Sequence, residues 1–285
     1  MPDSATPAER FQALRGRLFG LAYRMVGSRA DAEDLVQDAY LRWHFESAEA
    51  WLVTTTTRLA LDRLRRLKTE RDAYFGPWLP DPIVGPASTA APSPDQHLEL
   101  ADDLSMAFLT LLERLAPEER AAFLLHDVFE VDYRAIASVI GRSEAASRQV
   151  VHRARERIRG ERKRFETTEA AKAALLQRFL AAVEARDEQA LLGLFAPDAS
   201  WTADGGGKTA ASPRPIVGAD RIAHLVIGLR EKFWQAGWRF ERAVINGETG
   251  LCVLDGERLV ATLSIATDGR QIQAVYAVVN PDKLS

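Results

Sequence analysis

A proline-rich stretch divides this chain more sharply than any other feature of its sequence. From Tyr74 to Gln96 it is YFGPWLPDPIVGPASTAAPSPDQ, with six prolines. Proline fixes φ and has no amide proton, so this stretch can form neither a helix interior nor a central strand. We therefore predict separate folded domains on either side of it, and 285 residues suffice for two or three.

The first half of this linker carries unusually large apolar side chains: Tyr74, Phe75, Trp78, Leu79 and Ile83. Disordered linkers are normally poor in such groups. We therefore expect another domain or a partner to cover them, while the prolines hold the segment extended at low entropic cost. The alternative is a local collapse of Trp78 onto its own domain.

The bulk composition excludes several classes of protein. A single cysteine, Cys252, rules out an internal disulfide and fits a reducing compartment. The sequence shows no apolar run of membrane-spanning length and no signal peptide at its N-terminus. These features predict a soluble, cytoplasmic protein without membrane contact.

The net charge of −3 conceals two basic stretches. Between Arg142 and Arg164, nine basic residues stand against three acidic ones, and between Arg58 and Arg71 six stand against two. Two such stretches in a nearly neutral chain indicate a polyanion bound at two places. For either stretch alone, a solvated helix face would be the simpler interpretation.

Before the linker, the apolar spacing predicts three helices. Phe11, Leu14, Leu18, Leu21 and Met25 form one stripe, and Leu35, Ala39 and Trp43 form a second, with Ser28 as the cap between them. A third helix is predicted from about Glu49 to Arg66. Its VTTTT run has poor helix propensity, so packing must override that propensity or the hydroxyls must have a role.

A helix-turn-helix is the strongest pattern after the linker. Asp132 caps YRAIASVI, which stops at Gly141, and Ser143 caps EAASRQVVHRARERIR. The second helix of such a motif enters the major groove of DNA, where Arg148 can pair with guanine and Gln149 with adenine. The basic residues further along the helix are expected to hold phosphates. An ordinary helical hairpin with a basic face is the alternative.

From about Thr168 the pattern changes to helices followed by strands. Turn signals at Asn246-Gly247, Asp255-Gly256 and Asp268-Gly269 separate runs rich in Val, Leu and Ile, which predicts an antiparallel meander. The fold class predicted for this segment is therefore α+β.

Three segments of the chain resemble regions of one protein family. YRAIASVIGRSEAASRQVVHRARERI resembles region 4.2 of the bacterial sigma factors, LFGLAYRMVGSRADAEDLVQDAYLRW resembles their regions 2.1–2.2, and AWLVTTTTRLALDRLRR resembles regions 2.3–2.4. The two-domain arrangement is similar to the extracytoplasmic-function (ECF) class. One departure is Ser147, at a position that is often Val in that class.

The resemblance implies three interfaces. Region 4 would contact the −35 promoter element through Arg142, Ser143, Glu144, Arg148, Gln149, His152, Arg153 and Arg155. Region 2 would contact the melted −10 element through His44, Phe45, Thr54, Arg58, Asp62, Arg65 and Arg66. Core RNA polymerase, through its β′ and β subunits, would be bound at Asp31, Asp34, Leu35, Gln37 and Asp38.

The C-terminal part resembles the SnoaL-like, nuclear-transport-factor-2-like cone, which some sigma factors carry. WLPDP in the linker, DGGGK and NPDKL are marks of that group, in which Asp81 is more usually Glu. The resemblance implies a regulatory contact between this domain and the linker, with Lys208 as one candidate cation for Asp81. The residues expected in this contact are Trp78, Leu79, Asp81, Asp204, Lys208, Asn280, Asp282 and Lys283.

The resulting prediction is a multidomain sigma factor that is a monomer when free. Two all-α sigma domains, residues 1–73 and 98–165, flank a linker at 74–97 and precede a SnoaL-like domain at 166–285. Core RNA polymerase and promoter DNA are its expected partners, with a small-molecule ligand of the C-terminal domain left open. We predict no cofactor, no metal site and no catalytic residue.

Two alternatives remain at this point. One is a stand-alone DNA-binding repressor or activator that uses only the helix-turn-helix. The other is a fused enzyme, in which Asp204 and His224 would act as an acid–base pair in an apolar pocket. Against the enzyme, fold analogy alone does not establish function.

Overall fold

The computed structural model describes residues 6–43, 49–85, 104–162, 167–233 and 237–284. They form two compact units: a helical unit, to which residues 6–43, 49–72, 104 and 111–159 belong, and a cone unit, to which 73–85, 105–110, 160–162, 167–233 and 237–284 belong. The described helices are α1 (Pro7–Val26), α2 (Arg29–Leu41), α3 (Glu49–Asp72), α4 (Met106–Glu113), α5 (Pro117–Asp127), α6 (Tyr133–Ile140), α7 (Glu144–Arg162), α8 (Glu169–Ala185), α9 (Glu188–Leu194) and α10 (Ala219–Phe233). The described strands are β1 (Val84–Gly85), β2 (Phe195–Asp204), β3 (Ile216–Val217), β4 (Trp238–Ile245), β5 (Glu248–Asp255), β6 (Arg258–Thr267) and β7 (Ile272–Val278).

Helices α1 to α3 pack on one another along the predicted apolar stripes. Leu18, Leu21 and Met25 are buried, and the Ser28 hydroxyl accepts from the Asp31 amide at 3.4 Å, as expected of a cap. Helix α3 continues past the predicted end at Arg66 to Asp72. Its threonine run is helical because packing overrides propensity.

Two threonines of that run show how this happens. Thr56 and Thr57 are fully buried, and the Thr57 hydroxyl donates to the Val53 carbonyl at 2.8 Å. The Thr57 hydroxyl is thereby satisfied inside the helix, so that its methyl group can pack in the core. The Thr56 hydroxyl is buried and has no hydrogen-bond partner among the described residues, so packing alone holds Thr56 in the helix.

The helix-turn-helix forms with the predicted caps. The Asp132 carboxylate accepts from the Ala135 amide at 2.9 Å, and the Ser143 hydroxyl accepts from the Ala146 amide at 3.2 Å. Gly141 takes the left-handed conformation, with φ of 68°, which ends α6 and starts the turn. Val150, Val151, Ala154 and Ile158 form the buried face of α7.

In the cone unit, one curved sheet runs in the order β1-β4-β5-β6-β7-β2-β3. Strands β4 to β7 form the predicted antiparallel meander, with turns at the three predicted dipeptides. Beyond the meander the sheet is mixed, because β2 pairs with β7 in parallel. The connection from β2 to β7, which runs through α10 and β4 to β6, is long enough for that parallel return.

The sheet also contains a strand from the linker. Val84 and Gly85 pair with Ile245 and Val244 as an antiparallel edge strand, β1. The sequence did not predict this strand, since two residues carry no detectable periodicity. Part of the linker is therefore built into the cone unit.

Candidate nucleic-acid interfaces and the linker cluster

Helix α7 presents the predicted major-groove surface to solvent. All eight residues predicted to contact the −35 element are exposed, as their positions opposite the buried face require. Arg148 forms an ion pair with Glu144 one turn earlier, and its guanidinium lies 5.0 Å from the centre of the Tyr133 ring. These neighbours orient Arg148 at the N-terminal end of the helix, where base contacts are made in such motifs.

Arg155 has a different environment. Its Nε lies 2.8 Å from Oδ2 of Asp127 in α5, and a second nitrogen contacts Oδ1 of the same carboxylate. The hydrogen bond to Asp127 raises the pKa of Arg155 above its ordinary value. Arg157 pairs similarly with Glu119 at 2.6 Å. Both arginines therefore tie α7 to α5, a role that sequence reasoning did not anticipate, and their contact with phosphates stays a prediction.

The predicted polymerase-docking residues separate into two groups. Asp34, Gln37 and Asp38 are exposed on one face of α2. Leu35 is only 7% exposed, so its assignment to a docking surface is wrong; it belongs to the apolar stripe that the spacing itself predicted. Asp31 pairs with Arg63 of α3 at 2.9 Å and thus joins two helices of the unit.

Helix α3 carries the described part of the predicted −10 surface. Arg58, Asp62, Arg65 and Arg66 are exposed and Thr54 is half-buried. His44 and Phe45 lie outside the described residues.

Two residues of this surface already contact other helices of the same unit. Arg58 donates to the Ser138 hydroxyl in α6 at 3.0 Å, and Arg65 pairs with Glu118 in α5 at 3.1 Å. Partial burial favours a higher pKa for Glu118, but hydrogen bonding to Arg65 and to the backbone lowers the pKa below its ordinary value. Side chains predicted to bind single-stranded DNA are thus engaged by α5 and α6.

A buried ionic network lies at the end of α3. Glu113 accepts from Arg120 at 2.7 Å and also pairs with Arg71, while Arg71 donates to the Val26 carbonyl at 2.6 Å. Arg120 is only 3% exposed and donates to the Met25 carbonyl. Burial lowers the pKa of Arg71, an effect that Glu113 opposes. The network joins the end of α1 to α3, α4 and α5.

In the cone unit, Asp204 is the centre of what we call the linker cluster: Tyr74, Trp78, Leu79, Asp81, Asp204, Asn280 and Lys283. Asp204 is 0% exposed. Its carboxylate accepts from the Tyr74 hydroxyl at 2.6 Å, the Leu79 amide at 2.8 Å and the Gly206 amide at 3.1 Å. Tyr74 and Leu79 belong to the linker, so Asp204 binds the linker through two of these three hydrogen bonds.

Lys283 supplies the positive charge that compensates Asp204. Its ammonium lies 2.9 Å from Asp204 Oδ2 and 3.8 Å from Asp81, and it also donates to the Leu79 carbonyl. It lies 4.0 Å from the centre of the Trp78 ring, a cation–π geometry. Lys208, proposed as a partner of Asp81, instead pairs with Asp282 at the surface.

The remaining predicted members of this contact lie in the same cluster. Leu79 is 1% exposed and packs with Met106, Tyr276 and Val278. Asn280 donates to the Tyr74 hydroxyl at 2.9 Å. The segment that contains Trp78 therefore packs on the cone unit, as expected of a linker covered by another domain.

Two residues of the contact were missed by sequence reasoning. Burial and the hydrogen bond to Asp204 raise the pKa of Tyr74 well above its ordinary value, so this hydroxyl remains a donor. Asn246, expected only as a turn residue, accepts from the Ile83 amide at 2.6 Å. The excess of apolar residues in the linker was the available signal for Tyr74.

Gly206 explains why the loop after Asp204 is rich in glycine. Its φ of 58° is left-handed, and a Cβ there would overlap the Asn280 amide and approach the Tyr74 hydroxyl to 2.9 Å. Any larger residue would displace the linker cluster.

Comparisons with known proteins agree with this arrangement. The Sigma-70 region 2 family matches residues 10–70, Sigma-70 region 4 matches 105–158, and the SnoaL-like domain matches 176–280. The ECF RNA polymerase sigma factor SigJ of Mycobacterium tuberculosis is 36% identical over 96% of this chain and 92% of its own length. This chain is an ECF RNA polymerase sigma factor.

Other relatives of this sigma factor support the same assignment. The "Probable ECF RNA polymerase sigma factor SigI" of Mycobacterium tuberculosis is 28% identical over 96% of the chain and 93% of its own length. The crystal structure of SigJ covers 98% of both chains with a TM-score of 0.79 at 35% identity. Sigma factors bind core RNA polymerase and promoter DNA, which sets aside the stand-alone repressor.

The SnoaL-like domain of this sigma factor encloses a cavity of about 810 Å³, lined mainly by apolar side chains. The acid–base pair considered from the sequence does not meet there. Asp204 is buried in the linker cluster, whereas the His224 side chain is 88% exposed on α10. Neither residue lines the cavity.

Neither a membrane-spanning helix nor a metal-binding cluster occurs in the described parts of the chain. They contain no helix long and apolar enough to cross a membrane. They also contain no group of three or more His, Cys, Asp or Glu residues placed to hold a metal ion.

Proposed function

We propose that the SnoaL-like domain of this sigma factor modulates promoter-directed transcription by holding the linker between regions 2 and 4. The observation that carries this proposal is the burial of Asp204 against the Tyr74 hydroxyl and the Leu79 amide. A carboxylate buried in this way must be paired and hydrogen-bonded, so the linker and the domain stabilise each other.

The linker is a suitable point of control. Its residues connect the two regions that bind the −10 and −35 elements, and its conformation limits their separation on promoter DNA. A domain that binds one linker conformation favours that conformation over others. The domain can shift the equilibrium between linker conformations by no more than the difference between its binding free energies for them, and this limits the change in transcription.

The roles proposed for the sigma regions follow from their exposed faces. Helix α7 would read the −35 element, α3 would contact the −10 element, and α2 would dock on the β′ subunit of the polymerase. For α2 the proposal rests on Asp34, Gln37 and Asp38, which are exposed.

Asp34→Lys should weaken binding of core polymerase to the full chain while leaving its binding to the −35 duplex intact. Unchanged affinity for core polymerase would contradict the docking role.

Run-off transcription with core polymerase tests the role of the linker cluster. Trp78→Ala and Lys283→Met should each change the amount of specific transcript, and the double variant should change it by less than the two effects combined. Such non-additivity is expected because both variants remove one cation–π contact. Phe75→Ala and Lys208→Met are the matched controls, since Phe75 is exposed and Lys208 pairs with Asp282 at the surface.

Proteolysis of the linker provides a second readout. The Trp78 and Lys283 variants should be cut faster in the linker by proteinase K than the wild type and the two controls. Additive effects on transcription, together with equal rates of cleavage in all variants, would show that the linker cluster has no modulating role.

A further inference from the structure

The cavity of the SnoaL-like domain has a composition that specifies a class of ligand. Its volume of about 810 Å³ lies in the range of small-molecule sites. Phe179, Trp201, Phe233, Trp238 and Phe240 supply aromatic walls. Such walls favour a ring-bearing apolar molecule.

The charged lining is of one sign. Among the described residues that line the cavity, Arg230 and Arg258 are the only charged ones. Arg230 donates through Nε to the carbonyl of Val183, another lining residue, at 3.3 Å. This bond holds the guanidinium at the wall of the cavity. Arg258 is far more exposed, with Asp255 at 3.6 Å, and so lies at the rim.

We propose that this cavity binds an apolar, ring-bearing molecule carrying one acidic group, with Arg230 as the residue that pairs with the acid. A guanidinium in a largely apolar cavity selects a carboxylate or sulfonate, because its planar fork matches two acidic oxygens. A neutral analogue would bind through the aromatic walls alone.

The C-terminal segment connects this site to the linker cluster. Pro281 and Leu284 line the cavity, and Leu284 also packs against the apolar group that contains Leu79. Lys283 lies between them and contacts Asp204 and Trp78. An occupied cavity therefore changes the surroundings of the segment that holds the linker. This link to transcription rests on the proposed modulating role; the binding site itself does not.

A matched pair of fluorescent probes tests the site on the full chain. 8-Anilinonaphthalene-1-sulfonate has fused rings and one acidic group, and N-phenyl-1-naphthylamine has the same rings without the acid. Arg230→Gln should weaken binding of the sulfonate by about tenfold, the loss expected for a charge-assisted hydrogen bond, and should leave binding of the neutral probe nearly unchanged. Arg221→Gln is the control, since Arg221 is exposed on the same helix and does not line the cavity.

A second variant locates both probes in the cavity. Leu229 lines the cavity from a partly exposed position on α10, so Leu229→Trp should narrow it without disturbing the core and should weaken both probes. Equal affinity of wild type and Arg230→Gln for the sulfonate, no effect of Leu229→Trp on either probe, or no binding of the sulfonate would each overturn the proposal.

Transcription separates this inference from the proposed function. A saturating concentration of the sulfonate should alter run-off transcription by the wild type and not by Arg230→Gln. If the probe binds but transcription by the wild type does not change, the site stands and its link to the linker cluster is wrong. If Trp78→Ala alters transcription but the probe does not bind, the modulating role stands and the binding site is wrong.

Discussion

The two helices assigned to DNA contact differ in what already covers them. On α7 and in the two residues before it, all eight predicted residues face solvent; Arg148 pairs within α7, whereas Arg155 further along is bound to Asp127 of α5. On α3, Arg58 and Arg65 contact Ser138 and Glu118 of α6 and α5. Duplex DNA can therefore meet the N-terminal end of α7 while the contact of Arg155 with α5 stays in place, whereas Arg58 and Arg65 must exchange protein partners for DNA. The difference suits the order of events, because a single-stranded −10 element exists only after the promoter has melted.

The largest effect should come from the buried network that joins α3 to α5. Glu113→Ala would leave Arg71 and the almost fully buried Arg120 without their shared carboxylate. Breaking a buried ion pair by removing one partner costs about 3–5 kcal/mol. We expect a loss of that size in the free energy of unfolding of the helical unit, measured by urea denaturation followed by circular dichroism. Exposed Glu70→Ala is the control, and equal destabilisation by both variants would contradict the network's role.

The next effect concerns the solvent-exposed face of α7, which is predicted to contact the −35 element. Arg148→Ala should cost about 1–3 kcal/mol in binding to the correct −35 duplex and relax specificity at one base pair. Titrations against every single-base variant of the duplex measure this loss. Arg153→Ala, an exposed position further along α7, should weaken all sequences alike and reduce the salt dependence. A uniform loss for Arg148→Ala would mean that it holds a phosphate.

A smaller effect is expected at Arg155, where sequence and structure give different roles. Its bidentate contact with Asp127 is half-exposed, and exposed pairs contribute about 0–1 kcal/mol. Arg155→Ala should lower the thermal stability of region 4 slightly, and Asp127→Ala should do the same. The double variant should lose little more than either one. A large, uniform loss of DNA affinity without any loss of stability would instead support the predicted contact with a phosphate.

Local features of the fold were predictable from the sequence because local residues determine them. The caps at Asp132 and Ser143 and the turn at Gly141 follow from backbone chemistry within a few positions. The apolar stripe also placed Leu35 in the core, and its assignment to the docking face ignored that spacing. Where periodicity and family resemblance disagree about one residue, burial followed the periodicity here.

Contacts between distant segments were not predictable from spacing. Nothing in the sequence pairs Glu113 with Arg71 or Asn246 with the linker. The family resemblance brought Trp78, Asp204 and Lys283 together, yet it proposed Lys208 for Asp81, where the structure gives Lys283. Motifs show which segments meet, while the choice among neighbouring cations depends on backbone positions that only the fold defines.

The smallest effect tests most directly whether α5 covers the −10 surface of α3 while the −35 surface of α7 stays open to DNA. Glu118→Gln removes one of the two carboxylates that hold Arg65, the other being Asp62 on α3 itself, so Arg65 becomes more available to a phosphate. An exposed ion pair of this kind is worth about 0.2–1 kcal/mol, so affinity of the full chain for a single-stranded −10 oligonucleotide should rise by up to about fivefold at low salt. The gain in affinity should shrink as salt is raised, because screening already weakens the Arg65–Glu118 pair that the variant removes. Binding to the −35 duplex should not change, since Glu118 is not among the residues of that face. The control is Glu144→Gln, which releases Arg148 on the open face and leaves Arg65 paired. If Glu118→Gln leaves −10 affinity unchanged at every salt concentration, the contact with α5 does not compete with DNA, and the two faces are equally accessible.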